Sequence, residues 1–510
     1  MKKTKIDFQS FSIYKLFNFL ERRTKSKRMK EIKQHSLKYN FIMNFILSAS
    51  QVIFPLITFP YISRVLLADG TGKITFATSV ANYFLMIASL GIPTYGIRAC
   101  AQVRNDKEKL SKTVQELLII NFITTFLTII MYVICVCAVP KFRNEPILFF
   151  INGINILLNM IGMNWLYQAL EQYDYITFRS VLFKILSVIL MLLLVHRRGD
   201  YIIYAAITVL AAVGSNVLNL IRARQYVDLK FGKEYDLRQH IKPIFILFAQ
   251  SLAVSIYTNL DTVMLGFIKS DVDVGYYNAA VKVKNVLVSL VTSLGNVLLP
   301  RMSLYAKQHK NSEFLGTMSM AMNFTMLISI PLAFYFSVYS TETISFLAGN
   351  GFYGAILPMK IITLSIIPIG LTGILGIQVL TAIEKEKYVL YSVVTGAGVD
   401  FILNLLWIPV MGAAGAALST VLAEFSVLAL QIIFLKKMLQ EIKENLRTTV
   451  YLIFALISTL ISYCVKIIDI HSSFLTLIVS VFVFFVVYFS LLLISKDKLF
   501  IRITNSLKKK

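Results

Sequence analysis

Residues 39–98 decide the fold, and they read YNFIMNFILSASQVIFPLITFPYISRVLLADGTGKITFATSVANYFLMIASLGIPTYGIR. Two apolar runs, about 39–61 and 74–97, flank a short polar connection, and Arg98 closes the second. A helix crossing a bilayer needs roughly 20 mostly apolar residues, so each run is long enough to span. The pattern repeats down the chain. Further spans read at about 114–139, 147–170, 178–196, 201–221, 243–267, 276–300, 314–338, 354–381, 387–409, 413–435, 448–468 and 474–495, fourteen in all.

The composition agrees. Of 510 residues 57% are hydrophobic and only 15% charged, against about 25% charged in soluble domains. Mean hydropathy is +0.70. Fourteen spans of roughly 20 residues would use nearly the whole apolar supply, so the expected class is an all-α polytopic membrane protein. The net charge of +24 would suggest nucleic acid in a soluble chain, but here the basic residues fall in alternate loops. No nucleic-acid partner is expected. With the N-terminus inside, 39 of the 51 Lys and Arg lie in inside segments, 8 in outside loops and 4 within spans. The positive-inside rule then places both termini in the cytoplasm. Arg179, at the start of the fifth span, counts among the inside residues.

Five segments follow: a basic extension at 1–38, a six-helix half at 39–222, a second at 243–436, a helix pair at 448–495 and a basic tail at 496–510. In the extension, Ile13, Leu16, Phe17 and Leu20 form an apolar face opposite Lys15, Asn18 and Arg22, the pattern of an interfacial helix on an anionic leaflet. Translation from Met29 is the competing reading of the same residues. No signal peptide is expected, because the first apolar run extends past any h-region with no small-residue cleavage site. Cys100, Cys135, Cys137 and Cys464 form no CxxC pair or Cys/His cluster, so neither a disulfide nor a metal is expected. The five histidines are scattered and mostly in loops, and no Gly-rich phosphate loop is present.

Sliding the chain against itself by 203 residues aligns the first hairpin with spans seven and eight. Phe45 meets Phe248, Ser48 meets Ser251, Gly72 meets Gly275, Ala77 meets Ala280, Asn82 meets Asn285 and Arg98 meets Arg301. An offset of six spans makes the halves parallel repeats about an axis along the membrane normal, with a cargo site expected between them near mid-membrane.

Charges inside spans face the bundle interior or a cavity by default. In span eight, Lys282, Asn285, Ser289, Ser293 and Asn296 share one face. Lys284 sits about 200° round the helix from Lys282, and snorkelling to the headgroups suits it better. Span seven aligns Gln250, Tyr257, Thr258 and Asp261, and an ion pair between Asp261 and Lys282 is one reading of that charge. Span two carries Thr75, Ser79, Asn82 and Ser89, and span four Asn152, Asn155 and Asn159. Asp400 and Asn404 lie one turn apart in span eleven, as do Thr420 and Glu424 in span twelve. Such pairs also simply bind helices together. Asp261, Asp400 and Glu424 are the candidates for carrying a coupling H+ or Na+; no other cofactor is expected.

Several stretches carry a resemblance: FPLITFPYISRVLLADGTGKI at 54–74, LGIPTYGIRACAQVRNDKEKL at 90–110, WLYQALEQYDYITFRS at 165–180, YTNLDTVMLGF at 257–267, VGYYNAAVKVKN at 274–285 and GAAGAALSTVLAEF at 412–425. Together they resemble the polysaccharide-repeat flippases of the multidrug/oligosaccharidyl-lipid/polysaccharide exporter superfamily, over about residues 37–440. The resemblance implies a V-shaped bundle of two six-helix halves plus two C-terminal helices, in a bacterial cytoplasmic membrane. It implies transfer of undecaprenyl-pyrophosphate-linked oligosaccharide units from the inner to the outer leaflet, for capsule, O-antigen or exopolysaccharide, through a cationic cavity. Membrane lipids, a polymerase and glycosyltransferases are the implied partners. Carried onto matching positions, the cavity candidates are Arg64, Arg98, Asn259, Asp261, Lys282, Asn285 and Arg301, while Glu171 and Asp174 are pattern residues without an assigned role. The chain departs from the pattern at Asp400, where an Asn-like residue is the rule.

Two rivals stand beside this reading. A multidrug and toxin extrusion antiporter would want an acidic cavity, against Lys282 and Lys360. A membrane glycan polymerase would want a large outer loop with catalytic groups, whereas the longest, about 339–353, has Glu342 as its only charge.

Overall fold

The structure, a computed structural model, describes residues 36–508 apart from 231, 233, 294 and 469–471. The expected helix on residues 1–28 lies outside the described residues. Those described form helices joined by short connections, with no strand among them. Eleven helical segments among them are long and apolar enough to cross a membrane. The chain is an all-α polytopic membrane protein.

The first of these segments, Lys38–Val103, is 66 residues long and covers both spans read at 39–61 and 74–97. At 1.5 Å per residue it is about three times the ~30 Å thickness of a hydrocarbon core, and it is interrupted. Leu67 adopts φ 56°, ψ −172° between the two runs. Leu90 (φ 44°) and Gly91 (φ 74°) then end the second run, and Pro93 starts the helix Ile92–Val103. Gly91 is required twice over. Its φ is left-handed, and an added Cβ would stand 2.7 Å from the Ile244 carbonyl oxygen. Helices Arg238–Ile268 and Asp271–Thr292 occupy the seventh and eighth positions, and the second of these gives way to Gly295–Lys307.

The internal offset also appears as contact. Asn278 Nδ2 donates to Thr75 Oγ1 at 2.9 Å. A Cβ on Gly72 would overlap the Asp271 carbonyl, and one on Gly275 would overlap the Ala68 carbonyl. The pairs 75/278, 68/271 and 72/275 each differ by 203. Glycine lets the two backbones meet there, the small-residue packing usual between membrane helices.

Several boundaries differ from the sequence reading. The fifth span begins at Tyr173 instead of 178, so Arg179 lies within the helix Tyr173–Leu194 and is only 4% exposed. The sixth contains a π stretch, Leu210–Gly214, and the tenth is a broken series from Asn350 to Leu380 holding Pro358 and Pro368. A proline removes a backbone donor and clashes with the preceding turn, which accounts for breaks in that region. The outer segment read as a loop at 339–353 is mostly ordered, as the helix Ser340–Ala348 and the 3-10 turn Asn350–Ala355.

Contacts divide the chain into two compact units. One takes the chain up to Gln51 with Tyr83–Met191 and Ala205–Ser251; the other takes Val52–Asn82, Leu192–Tyr204 and the chain from Leu252 onward. This is a division in space, whereas 39–222 and 243–436 divide the chain along its length. In the second unit, the last two spans pack on Asn311–Val338, with Tyr335 OH 2.8 Å from Ser480 Oγ and Tyr488 OH donating to the Leu327 carbonyl at 3.1 Å.

Candidate functional site

An acidic cluster forms where four helices of the second unit meet. Asp261 comes from Arg238–Ile268, Tyr277 from Asp271–Thr292, Asp400 and Asn404 from Glu386–Met411, and Thr420 from Ala413–Phe434. Asn404 Nδ2 donates to Asp261 Oδ1 at 2.6 Å, and Thr420 Oγ1 to Asp261 Oδ2 at 2.8 Å. Tyr277 OH also donates to Oδ2. Asp261, Glu424 and Lys284 lie in electrostatic range of Asp400. All five cluster residues are buried; Asp400 is 1% exposed. Asp400 Oδ1 and Asn404 Oδ1 have no hydrogen-bond partner among the described residues.

Chemistry limits what this cluster can hold. Two neighbouring buried carboxylates repel, and a proton on one of them or a bound cation offsets that repulsion. Unpaired buried acceptors are costly where no water can reach. Among the described residues no three His, Cys, Asp or Glu side chains converge to hold a metal ion. The donor set here is two carboxyls with amide, hydroxyl and phenol oxygens, which suits one proton or one singly charged hard cation.

The basic candidates behave differently from one another. Lys282 Nζ lies 4.1 Å from the centroid of the Phe59 ring, a cation–π contact. It is half-buried and has no carboxylate within ion-pair distance among the described residues. The ion pair between Asp261 and Lys282 considered above does not form, because Asp261 is already taken by Asn404, Thr420 and Tyr277. Lys284 lies within electrostatic range of Asp400, about 200° round the helix from Lys282. Arg64 is held by backbone: it donates to the Pro60 and Phe346 carbonyls, each at 2.6 Å, and to Leu347 at 3.4 Å. A cation on the last carbonyls of Ser340–Ala348 complements that helix end.

The other candidates are more exposed. Asn285 is exposed, and Asn259 bonds to the Ser255 carbonyl and Thr258 Oγ1, both at 3.2 Å. Arg301 is exposed and donates to Tyr305 OH at 2.9 Å. Arg98, also exposed, lies over the Tyr95 ring, 5.6 Å from its centroid. Of the polar stripe on span eight, Ser289 and Ser293 bond their own helix through the Val286 and Leu290 carbonyls. The side chain of Asn296 lies outside the described residues. The structure thus brings Asp261 and Asp400 together with Asn404 and Thr420, and keeps Lys282 and Arg64 out of that cluster.

Two features were missed by the sequence reading. Tyr277 completes the acidic cluster; its 16-residue separation from Asp261 across a turn was the available signal. In the first unit, His240 is a buried hub instead of a loop residue, 2.9 Å from Glu116 Oε2 and 2.8 Å from Tyr95 OH. Glu116 Oε1 also accepts the Asp236 amide at 2.9 Å, so this trio pins the segment leading into Arg238–Ile268. Glu171 pairs with Arg104 at 2.6 Å, which gives that residue of the 165–180 motif a structural partner.

The comparisons with known proteins fit this picture. A "Putative O-antigen transporter" of Escherichia coli (strain K12) is 22% identical over 405 residues, 79% of this chain and 97% of that protein. Among solved structures, "Lipid II flippase MurJ, inward closed conformation" superposes with a TM-score of 0.71 at 15% identity, over 90% of this chain and 99% of that one. An inward-facing multidrug resistance MATE transporter of the MOP superfamily gives 0.58 at 10% identity, over 77% and 99%. At these identities the structural matches speak for the fold alone. The profile of the family described as "Polysaccharide biosynthesis protein" matches residues 37–306, more than half of the chain, and the chain belongs to that family.

Proposed function

We propose that this chain is a flippase that carries undecaprenyl-pyrophosphate-linked oligosaccharide units from the inner to the outer leaflet of a bacterial cytoplasmic membrane by alternating access, for O-antigen, capsule or exopolysaccharide. One observation carries the reading: Lys282 is a cation within a span, half-buried and matched by no carboxylate among the described residues. An unmatched intramembrane cation is costly, and an anionic headgroup offsets that cost. The relatives named as O-antigen transporters and the flippase-like fold support it.

In this mechanism the pyrophosphate leaves water for fixed donors, Lys282 first, while its hydrocarbon tail stays in the bilayer. Arg98 and Arg301, both exposed, meet the headgroup nearer the cytoplasmic face. An inside-negative potential favours anion exit by roughly 2.3 kcal/mol per charge per 100 mV. The acidic cluster serves a separate task. Asp261 with Asp400 takes up one H+ or Na+, and Glu424 lies close enough to tune its affinity electrostatically.

The rivals fit less well. An extruder of cationic drugs needs its acids open to cargo, but Asp261 and Asp400 are enclosed by hydrogen bonds and helices. A polymerase needs free acids on the outer side, but Glu342 is paired with Lys466 at 2.9 Å. The test is reconstitution in vesicles, following the exposure of a fluorescent lipid-linked oligosaccharide to an added glycosidase. Protein-dependent exposure is expected, with no competition from cationic dyes. Dye transport without glycolipid exposure would overturn the proposal.

A further inference from the structure

The motif WLYQALEQYDYITFRS ends in a charge that the flipping mechanism does not use. Arg179 is 4% exposed, and only one of its nitrogens, NH2, finds an acceptor, Asn164 Oδ1 at 2.8 Å. Its Nε and NH1 are buried without partners, as are Nε of Arg222 and the hydroxyl of Tyr175. The two guanidiniums flank one ring: the Cζ of Arg222 is 3.9 Å and that of Arg179 5.6 Å from the Tyr175 centroid. Neither arginine forms an ion pair among the described residues. A buried guanidinium and a half-buried one that reaches only Tyr226 OH, at 3.3 Å, each with an open buried donor, are costly unless an anion meets them.

Beside them lies a groove of about 480 Å³, lined by Arg222, Tyr175, Tyr39 and Asp174 on its polar part and by Ile46 and Phe178 among others on its apolar part. That volume falls in the ~300–1,000 Å³ range of small-ligand sites. It admits a phosphate and a short polar headgroup but not a glycan chain. Asp174 and Arg222 are the charged residues of the lining, and the Arg179 guanidinium against the Tyr175 ring adds a second positive charge beside it, so the local balance stays positive. The apolar wall continues into an exposed surface: Phe178 is 72%, Leu182 47% and Ile46 42% exposed. In a membrane protein such a surface faces acyl chains. Arg222 stands where the sixth span runs into the basic segment 222–242, the side that the positive-inside rule assigns to the anionic inner leaflet.

We propose that the groove at Tyr175 and Arg222, with the Arg179 guanidinium held against the Tyr175 ring, is a binding site for the phosphate of an anionic phospholipid of the inner leaflet, separate from the cargo path, with the acyl chains lying along Ile46 and Phe178. The guanidinium is the side chain best matched to phosphate oxygens, through paired N–H donors. The lipid so held would brace the fifth span against the first, where Thr177 Oγ1 already donates to the Met43 carbonyl at 2.9 Å.

The test uses the full chain in nanodiscs of phosphatidylcholine with increasing phosphatidylglycerol, reading retained lipid by native mass spectrometry together with the melting temperature. Wild type is expected to retain phosphatidylglycerol selectively and to melt higher as its fraction rises. Arg222→Gln should weaken that dependence about tenfold or more, the size of a lost charged hydrogen bond. Arg179→Gln should act in the same direction. Arg224→Gln, two residues away and outside the groove lining, should match wild type. Equal retention by Arg222→Gln and wild type would overturn the site. A loss in Arg224→Gln equal to that in Arg222→Gln would reduce it to general surface charge and overturn it as well. Stabilisation by inorganic phosphate equal to that by phosphatidylglycerol would overturn the lipid as its occupant.

Discussion

The helix Asp271–Thr292 has two faces that treat charge in opposite ways. On one, Asn278 bonds Thr75 and Lys282 rests on the Phe59 ring, without an acid. On the other, Tyr277 donates to Asp261, and Lys284 lies within electrostatic range of Asp400. Lys282 and Lys284 are two residues apart, yet only Lys284 is in electrostatic range of the buried Asp400. The difference teaches that lysines in one span cannot be pooled as a positive cavity. Helical phase and local partners separate the proposed anion site at Lys282 from the proposed cation site at Asp261, and in this reading one helix carries residues of both.

The largest effect should come from breaking the first face at its tightest point. Gly275→Val would push side-chain carbon into the Ala68 carbonyl. Overpacking costs about 1–3 kcal/mol where neighbours can shift, and a backbone carbonyl shifts poorly. A lowered melting temperature and loss of glycolipid exposure are expected, measured on purified protein and in vesicles. Unchanged melting and transport would mean that the backbones do not approach there.

The second face breaks at Asp261. Asp261→Asn removes the charge that three donors serve. Hydrogen bonds to a charged group are worth about 1.5–3 kcal/mol each. Transport by this variant should lose its response to a Na+ or H+ gradient, while binding of the lipid-linked oligosaccharide to detergent-solubilised protein stays within about twofold. Preserved gradient dependence would remove the cluster from the coupling step. A smaller cut sharpens the same point. Tyr277→Phe deletes one donor of the three and should shift the apparent ion affinity by about 1 kcal/mol, roughly fivefold, read from the ion dependence of transport.

Much of this was legible in the sequence, for physical reasons. Span length, apolar composition and the loop bias of Lys and Arg report the bilayer directly, so the all-α membrane class followed from them. Gly72 and Gly275, which the sequence singled out, each stand where a Cβ would overlap a neighbouring backbone. The helical phase of Lys282 and Lys284 was correct because a two-residue step always turns an α-helix by about 200°. What failed depended on tertiary partners. Arg64 has the composition of a cavity cation, but its donors meet the carbonyl end of a helix nearly 300 residues on, which no local pattern reveals. Arg179 looked like a span-edge residue because the basic side chain lowered local hydropathy, while the helix had already begun at Tyr173. His240, Glu116 and Tyr95 are far apart in sequence and form their buried trio only when three helices close on them. The broken tenth span also escaped, since its prolines mark strain without saying where the chain yields.

The most direct test of the central claim compares transport by Lys282→Ala, Lys282→Arg and Lys284→Ala in vesicles at equal protein density. The readout is the rate at which a lipid-linked oligosaccharide becomes accessible to external enzyme. A lost charged contact is worth about 1.5–3 kcal/mol, or roughly 10- to 150-fold. Lys282→Ala is expected to fall by that factor, Lys282→Arg to retain part of the rate, and Lys284→Ala to keep most of it while altering the ion dependence. Equal losses for Lys282→Ala and Lys284→Ala, or a full rate in Lys282→Ala, would contradict the assignment of the anion to the Lys282 face.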